Sequence, residues 1–286
     1  MVDAKRKIGI KIAKGVAIAI FSATFIIPMW IVIIASFSDS GAFAKTGYSL
    51  WTQAFSLNGY AYVFKNEGVI RGLINSVVVT VLVTALSILV NTAAAYALHE
   101  KNMPGHAVLN TIFVFTMFFS TGMVPIVLVI KMLGLFNTFW VLVIPPVINV
   151  YNILLIRNYY YSIPSSLKEA ATIDGAGQLQ IFAQIMVPVS VPIIATTALM
   201  SFVLKWNSYM DILFYIEKSN TKLFTIQYVV RDIIANMKPF TEEQGYLNKY
   251  VVQSATIVVT VLPLMILFPF LQKYFVNGMT AGSVKG

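Results

Sequence analysis

The sequence predicts an all-α fold, a polytopic membrane helix bundle with six transmembrane helices. Three observations lead there. Apolar residues stand in long uncharged runs and make up 58% of the chain. Charged residues are only 11% of its 286 positions, against roughly 25% in soluble domains. Basic residues gather outside the apolar runs, most densely at Lys5, Arg6, Lys7, Lys11 and Lys14. A soluble domain of this length needs more charge to cover its surface, so lipid is the solvent for much of this one.

About 20 apolar residues cross a hydrocarbon core, and six segments meet that length. They run from about Gly15 to Ser38, Gly72 to Leu98, Ala107 to Ile130, Phe136 to Ile156, Ile185 to Leu204 and Val251 to Gln272. Proline interrupts several of them: Pro28 in the first, Pro125 in the third, Pro145 and Pro146 in the fourth, Pro188 and Pro192 at the start of the fifth, Pro263 and Pro269 in the sixth. Each removes a backbone donor and disturbs the carbonyl one turn back. In lipid, neighbouring helices or a water-filled cavity must satisfy the groups so freed. Ordinary kinks in a bundle and hinges beside a translocation path are both compatible with this pattern.

Flanking charge sets the expected orientation. The basic cluster places residues 1–14 in the cytoplasm. The membrane domain then covers 15–272, and a tail of 273–286 returns to the cytoplasm. The stretch of about 157–184 is also cytoplasmic, and loops of about 37–71 and 205–250 face outward. The formal charge of +9 suits the positive-inside rule and anionic headgroups. No basic stripe carries the interleaved aromatics of a single-strand binder, so nucleic acid is not an expected partner. The chain has no cysteine, which excludes disulfides, thiolate metal sites and a Cys nucleophile.

The most informative stretch is Ser165-Ser166-Leu167-Lys168-Glu169-Ala170-Ala171-Thr172-Ile173-Asp174-Gly175-Ala176-Gly177. Pro164-Ser165-Ser166 reads as a helix start with a Ser N-cap candidate. Leu167 to Ile173 can form a short amphipathic helix, ended by Gly175 and Gly177. A second helix runs from about Gln178 toward Pro188. The product is a helix-turn-helix on the inner membrane face, exposing small residues and the carboxylate of Glu169. Alanine and glycine let another protein approach the backbone, and one carboxylate can pair with its Arg or Lys. A plain connecting loop with a surface helix is the simpler alternative.

Glu169-Ala170-Ala171, three residues, Gly175, nine residues, Ile185 and then Pro188 stand at the spacing of the signature of permease subunits in binding-protein-dependent ABC importers. Asp174 also fits, and Val187 stands where that pattern favours Leu. The chain resembles this family over nearly its whole length, most closely the carbohydrate branch that includes the second permeases of the maltose and alginate transporters. The resemblance implies an ABC type I importer permease fold. It also implies a coupling role for Glu169, Ala170, Ala171, Asp174, Gly175, Ile185 and Pro188. Implied partners are a second, non-identical permease, two ATPase subunits, an extracellular solute-binding protein and membrane lipid. ATP and Mg would be held by the ATPase subunits, with no cofactor in this chain. The tail Thr280 to Gly286 would reach the ATPase interface.

The residues agree with a transport subunit that is not itself an enzyme. No Gly-x-x-x-x-Gly-Lys-Ser/Thr loop is present, so the chain has no phosphate cradle of that kind. No Asp or Glu falls within a predicted span, unlike an ion-coupled secondary transporter. No catalytic constellation falls within a span, which removes an intramembrane enzyme. His99 and His106 lack nearby carboxylate or thiol ligands, so no metal site is expected. Candidates for the substrate path, where an oligosaccharide would meet aromatic faces and amides, are Asn149, Tyr151, Asn152, Trp206, Asn207 and Tyr209. Helix–helix hydrogen bonds and interfacial belts use the same residue types. A solute other than a sugar is the remaining alternative.

Overall fold

The computed structural model describes residues 2–119, 121–237 and 247–281, with side chains from 10 to 269. In chain order the helices are α1 (Val2–Ser36), α2 (Ser40–Thr46), α3 (Asn58–Lys65), α4 (Glu67–His99), α5 (His106–Phe118), α6 (Met123–Met132), α7 (Val150–Tyr160), α8 (Ser165–Ile173), α9 (Gln178–Ile181), α10 (Val187–Val189), α11 (Val191–Trp206), α12 (Met210–Tyr215), α13 (Ile226–Asn236) and α14 (Lys249–Ala281). A π-helical turn over Phe182–Met186 joins α9 to α10. Among the described residues the only β-type pairing is one isolated bridge, between Ser38 and Phe55.

The apolar runs become helices, and several of the expected spans are broken or irregular within their length. Ile10–Ser36, Glu67–His99, Phe139–Tyr160 and Lys249–Pro269 are long and apolar enough to cross a membrane. Gln178–Val189 and Val191–Trp206 make a fifth when taken as one span bent by 79°. The expected third span is two shorter helices, α5 and α6. The chain leaves helical geometry at Phe119, and Gly122 adopts a positive φ of 77°. Pro125 then falls in the first turn of α6, where a missing N–H costs no intrahelical bond. The expected fourth span opens with two 3₁₀ turns, Phe139–Leu142 and Pro145–Val147, before α7 begins. Val141, Leu142, Val143 and Val147 are buried there. Ser87 Oγ donates to the Val147 carbonyl at 2.7 Å, one way irregular backbone is tolerated at membrane depth.

The chain divides into two compact units. In the unit of residues 1–69 and 230–262, Ala35, Phe43 and Val251 pack together. The Ser36 and Tyr60 hydroxyls bond at 2.7 Å, and the Trp30 indole donates to the Leu50 carbonyl at 3.0 Å. Gly59 lets α3 lie on α14: a Cβ there would stand 3.1 Å from Val251 Cγ1.

The unit of residues 70–229 and 263–286 holds the candidate sites. One core joins Val79, Val83, Ile130, Val141, Leu142, Val143, Ile212, Ile216 and Tyr228. A second joins Ala95, Tyr96, Leu98, Ile153, Ile156, Tyr160, Ile181, Met186 and Ile193. The segment 205–250, expected as a loop, is largely helical where described. It docks on α4 through Asn75 Nδ2, which donates to the Lys222 and Phe224 carbonyls at 2.8 and 2.9 Å. Ser76 Oγ accepts from the Ile226 amide at 2.8 Å. The Ile226 amide is buried and needs a partner, and two adjacent polar side chains of an apolar helix satisfy it and the two carbonyls.

Candidate functional site

The helix-turn-helix forms at the predicted place. Its start differs by one residue: the cap position is Pro164, Ser165 is already helical, and no side chain caps the turn. Pro164 has extended geometry, φ −57° and ψ 130°, which sets the chain's entry into α8. The end follows the glycine expectation at Gly175, whose φ is +83°. The Asp174 amide donates to Ala170 O, Gly175 to Thr172 O and Ala176 to Ala171 O at 2.9–3.1 Å, a closed C-terminal turn of the Schellman kind. Gly177 has φ −73°, and the Gln180 side chain reaches back to its amide at 3.1 Å to start α9.

The segment is held on its inner side and open on its outer side. Lys168 pairs with Glu100, just past α4. The Tyr96 hydroxyl donates to Gln178 Oε1 at 2.8 Å. Ala171 and Ala176 pack on the second core. On the open side lie Glu169, Ala170 and Asp174. Two large apolar side chains join them, Ile173 at 86% and Leu179 at 83% exposure. Leu179 was not among the sequence candidates; an apolar residue in the first turn of a short second helix is the signal that could have found it. A cleft of about 700 Å³ runs beside the segment, lined by Glu169, Thr172 and Ile173 on one side and His99, Tyr160 and Tyr161 on the other. Ile185 is half-buried in the π-helical turn and Pro188 is exposed in α10. Together they carry the segment into the bend before α11.

The proposed path residues range from exposed to buried, with Asn149 and Tyr209 half-buried. Asn149 caps α7, its Oδ1 accepting from the Asn152 amide at 3.1 Å, while its own amide donates to Asn91 Oδ1 at 3.2 Å. Tyr151 is 49% exposed. Asn152 is buried, and its Nδ2 donates to Ser201 Oγ at 3.0 Å. Trp206 is buried with its ring stacked on Phe202, centroids 6.1 Å apart. Asn207, past the end of α11, is exposed and accepts from Gln227 Nε2 at 3.3 Å. Tyr209 packs at the edge of the first core.

Residues absent from the sequence candidates share this region. Lys205 is buried, and its ammonium donates to Asp211 Oδ2 at 2.6 Å. Ser208 Oγ donates to the same oxygen at 2.9 Å. These three, with Asn149 and Ser201, line a cavity of about 230 Å³ bordered by Val83, Pro146, Ile148 and Leu204. Of the two histidines set aside above, His106 faces the Leu98 carbonyl at 3.0 Å, while His99 does have a carboxylate neighbour, with Glu100 Oε1 3.4 Å from its Nδ1. Part of the outward loop expected over 205–250, residues 238–246, and the end of the C-terminal tail lie outside the described residues.

Residues 92–281 match the family described as binding-protein-dependent transport system inner membrane component. The polygalacturonan/rhamnogalacturonan transport system permease protein YtcP of Bacillus subtilis is 37% identical over 272 residues, covering 93% of this chain and 94% of that one. The arabinooligosaccharides transport system permease protein AraQ of Halalkalibacterium halodurans is 28% identical, covering 95% of each. Among solved structures, a chain of a bacterial ABC transporter that imports the acidic polysaccharide alginate superposes with a TM-score of 0.87. Its identity is 28%, covering 93% of this chain and 96% of that one.

Proposed function

The chain belongs to the inner membrane components of binding-protein-dependent transport systems, and from that premise we propose how it works and what it carries. It is a membrane-embedded permease, a transport subunit and not an enzyme. In our reading it forms half of a translocation pathway with a second, non-identical permease. Two ATPase subunits, which hold ATP and Mg, drive it, and an extracellular solute-binding protein feeds it. Its cargo is an oligosaccharide or a fragment of a polysaccharide. The names of its relatives support this: polygalacturonan and rhamnogalacturonan, arabinooligosaccharides, and alginate.

The observation that carries the coupling role is the two-sided build of α8, the Gly175 turn and α9. One side is clamped by Lys168–Glu100, Tyr96–Gln178 and two packed alanines. The other offers Glu169, Ala170, Ile173 and Leu179 to a partner. An element clamped this way transmits displacement instead of absorbing it. Moving a two-state pathway from 1:99 to 99:1 takes about 5.5 kcal/mol of differential binding, and that bias must arrive through such a contact. Ile185 and Pro188 sit where the displacement would pass into α11. Asn149, Tyr151, Asn207 and Tyr209 border the path, with Asn152 and Trp206 bracing it. The N-terminal Lys and Arg residues support cytoplasmic termini and a bacterial plasma-membrane location, with 37–71 and 205–250 outside. The docking segment of about 157–184 then meets the ATPase inside the cell.

Glu169→Lys tests the coupling. The assembled importer, reconstituted in proteoliposomes, should keep its subunits inserted while saccharide uptake per ATP hydrolysed collapses. Uptake at the unmodified rate would remove Glu169 from the coupling contact.

A further inference from the structure

The small cavity at the end of α11 carries an inference about what part of the substrate this chain touches. A buried Lys–Asp pair is a weak source of stability, because desolvating two charges offsets their attraction. Its presence beside an apolar helix calls for another reason. The pair also sits at an opening: the Asp211 side chain keeps 28% of its exposure while that of Lys205 keeps 5%. A charged opening facing hydrocarbon is costly, so this face meets water or protein.

The donor and acceptor set defines the chemistry. Lys205 and Asp211 sum to zero charge. A carboxylate drawn to the Lys205 ammonium meets Asp211, whose oxygen lies 2.6 Å from that ammonium, and repulsion offsets the attraction. A hydroxyl meets no such conflict, since it can donate to a carboxylate oxygen and accept from an ammonium, both charge-assisted bonds. Ser208, Ser201 and Asn149 add neutral polar groups to the same wall. Ile148 and Leu204, 59% and 63% exposed, border it with apolar surface suited to the C–H face of a ring. The volume of about 230 Å³ is below the roughly 300–1,000 Å³ of pockets for larger ligands, which fits one ring and not a chain.

We propose that Lys205, Asp211, Ser208 and Asn149 form a charge-neutral subsite that receives the hydroxyl groups of one sugar ring and does not select for its carboxylate. This rests on the saccharide-transport reading above. Lys205 and Asp211 are specificity-determining residues here: together they cancel, and either alone would impose a charge preference on the path.

The test measures equilibrium binding of galactose and of galacturonate to the detergent-solubilised importer at millimolar sugar. The unmodified protein should bind the two within about threefold. Asp211→Asn keeps an oxygen for Lys205 and Ser208 but leaves a net positive charge, so it should shift the ratio at least tenfold toward galacturonate. K205Q/D211N restores neutrality and should return the ratio near its starting value with weaker binding of both. If the buried unpaired lysine of that single variant prevents folding, Lys205→Gln, which leaves a net negative charge instead, should shift the ratio at least tenfold toward galactose. A preference for galacturonate in the unmodified protein, binding of neither sugar, or a ratio unmoved in every folded single variant would each overturn the proposal. An importer that still moves saccharide while this cavity binds none would sink the subsite and leave the transport reading standing. Failure of the chain to assemble with an ATPase would sink that reading instead.

Discussion

Truncating Ile173 and Leu179 to alanine tests the docking contact where its energetics are simplest. Both side chains stand almost wholly in solvent, 86% and 83% exposed. Removing them leaves no cavity, and the bundle should unfold at an unchanged temperature. Each truncation deletes three carbons, and burial of a methylene contributes about 0.8 kcal/mol. Full burial of both in a groove of the ATPase would therefore make the pair worth about 5 kcal/mol, and half burial about 2.4 kcal/mol. At about 1.4 kcal/mol per tenfold in affinity, even half burial predicts that the double variant binds the ATPase roughly 50-fold more weakly. The assay is titration of purified ATPase onto the solubilised permease pair, with the melting curve of the variant as control. An affinity within about twofold of the unmodified protein, alongside an unchanged melting curve, would mean that this apolar tip is not the contact.

Two further outcomes follow from particular contacts. Gly175→Ala places a side chain at φ +83° with nothing within 4 Å, so its cost is purely conformational, roughly 1–2 kcal/mol. Uptake per ATP should fall several-fold, while Gly177→Ala, at φ −73°, should leave it unchanged. Asn152→Leu deprives buried Ser201 of its donor and should lower thermal stability by about 1–3 kcal/mol. Adding Ser201→Ala should recover most of that loss, read by melting in detergent.

The sequence alone determined the lipid-embedded helical class, because scarce charge and long apolar runs admit few other solvents for the surface. It also determined the helix-turn-helix of 165–188, since its capping, glycine and alanine signals are local, acting within one or two turns of the chain. The tertiary structure alone decided where helices break. The sequence shows that Pro125, Pro145 and Pro146 can disturb a helix. Whether the freed backbone groups find partners, as the Val147 carbonyl finds Ser87, depends on elements distant in the chain. The same holds for the cavity. Lys205, Ser208 and Asp211 stand three residues apart, a spacing that one continuous helix would also place on one face, but α11 ends at Trp206 and α12 begins at Met210, so they meet around the turn at 207–209. Asn149 joins them from another helix. A pattern read along the sequence records periodicity within one element, and it does not record where a turn falls or which neighbouring element comes to face it.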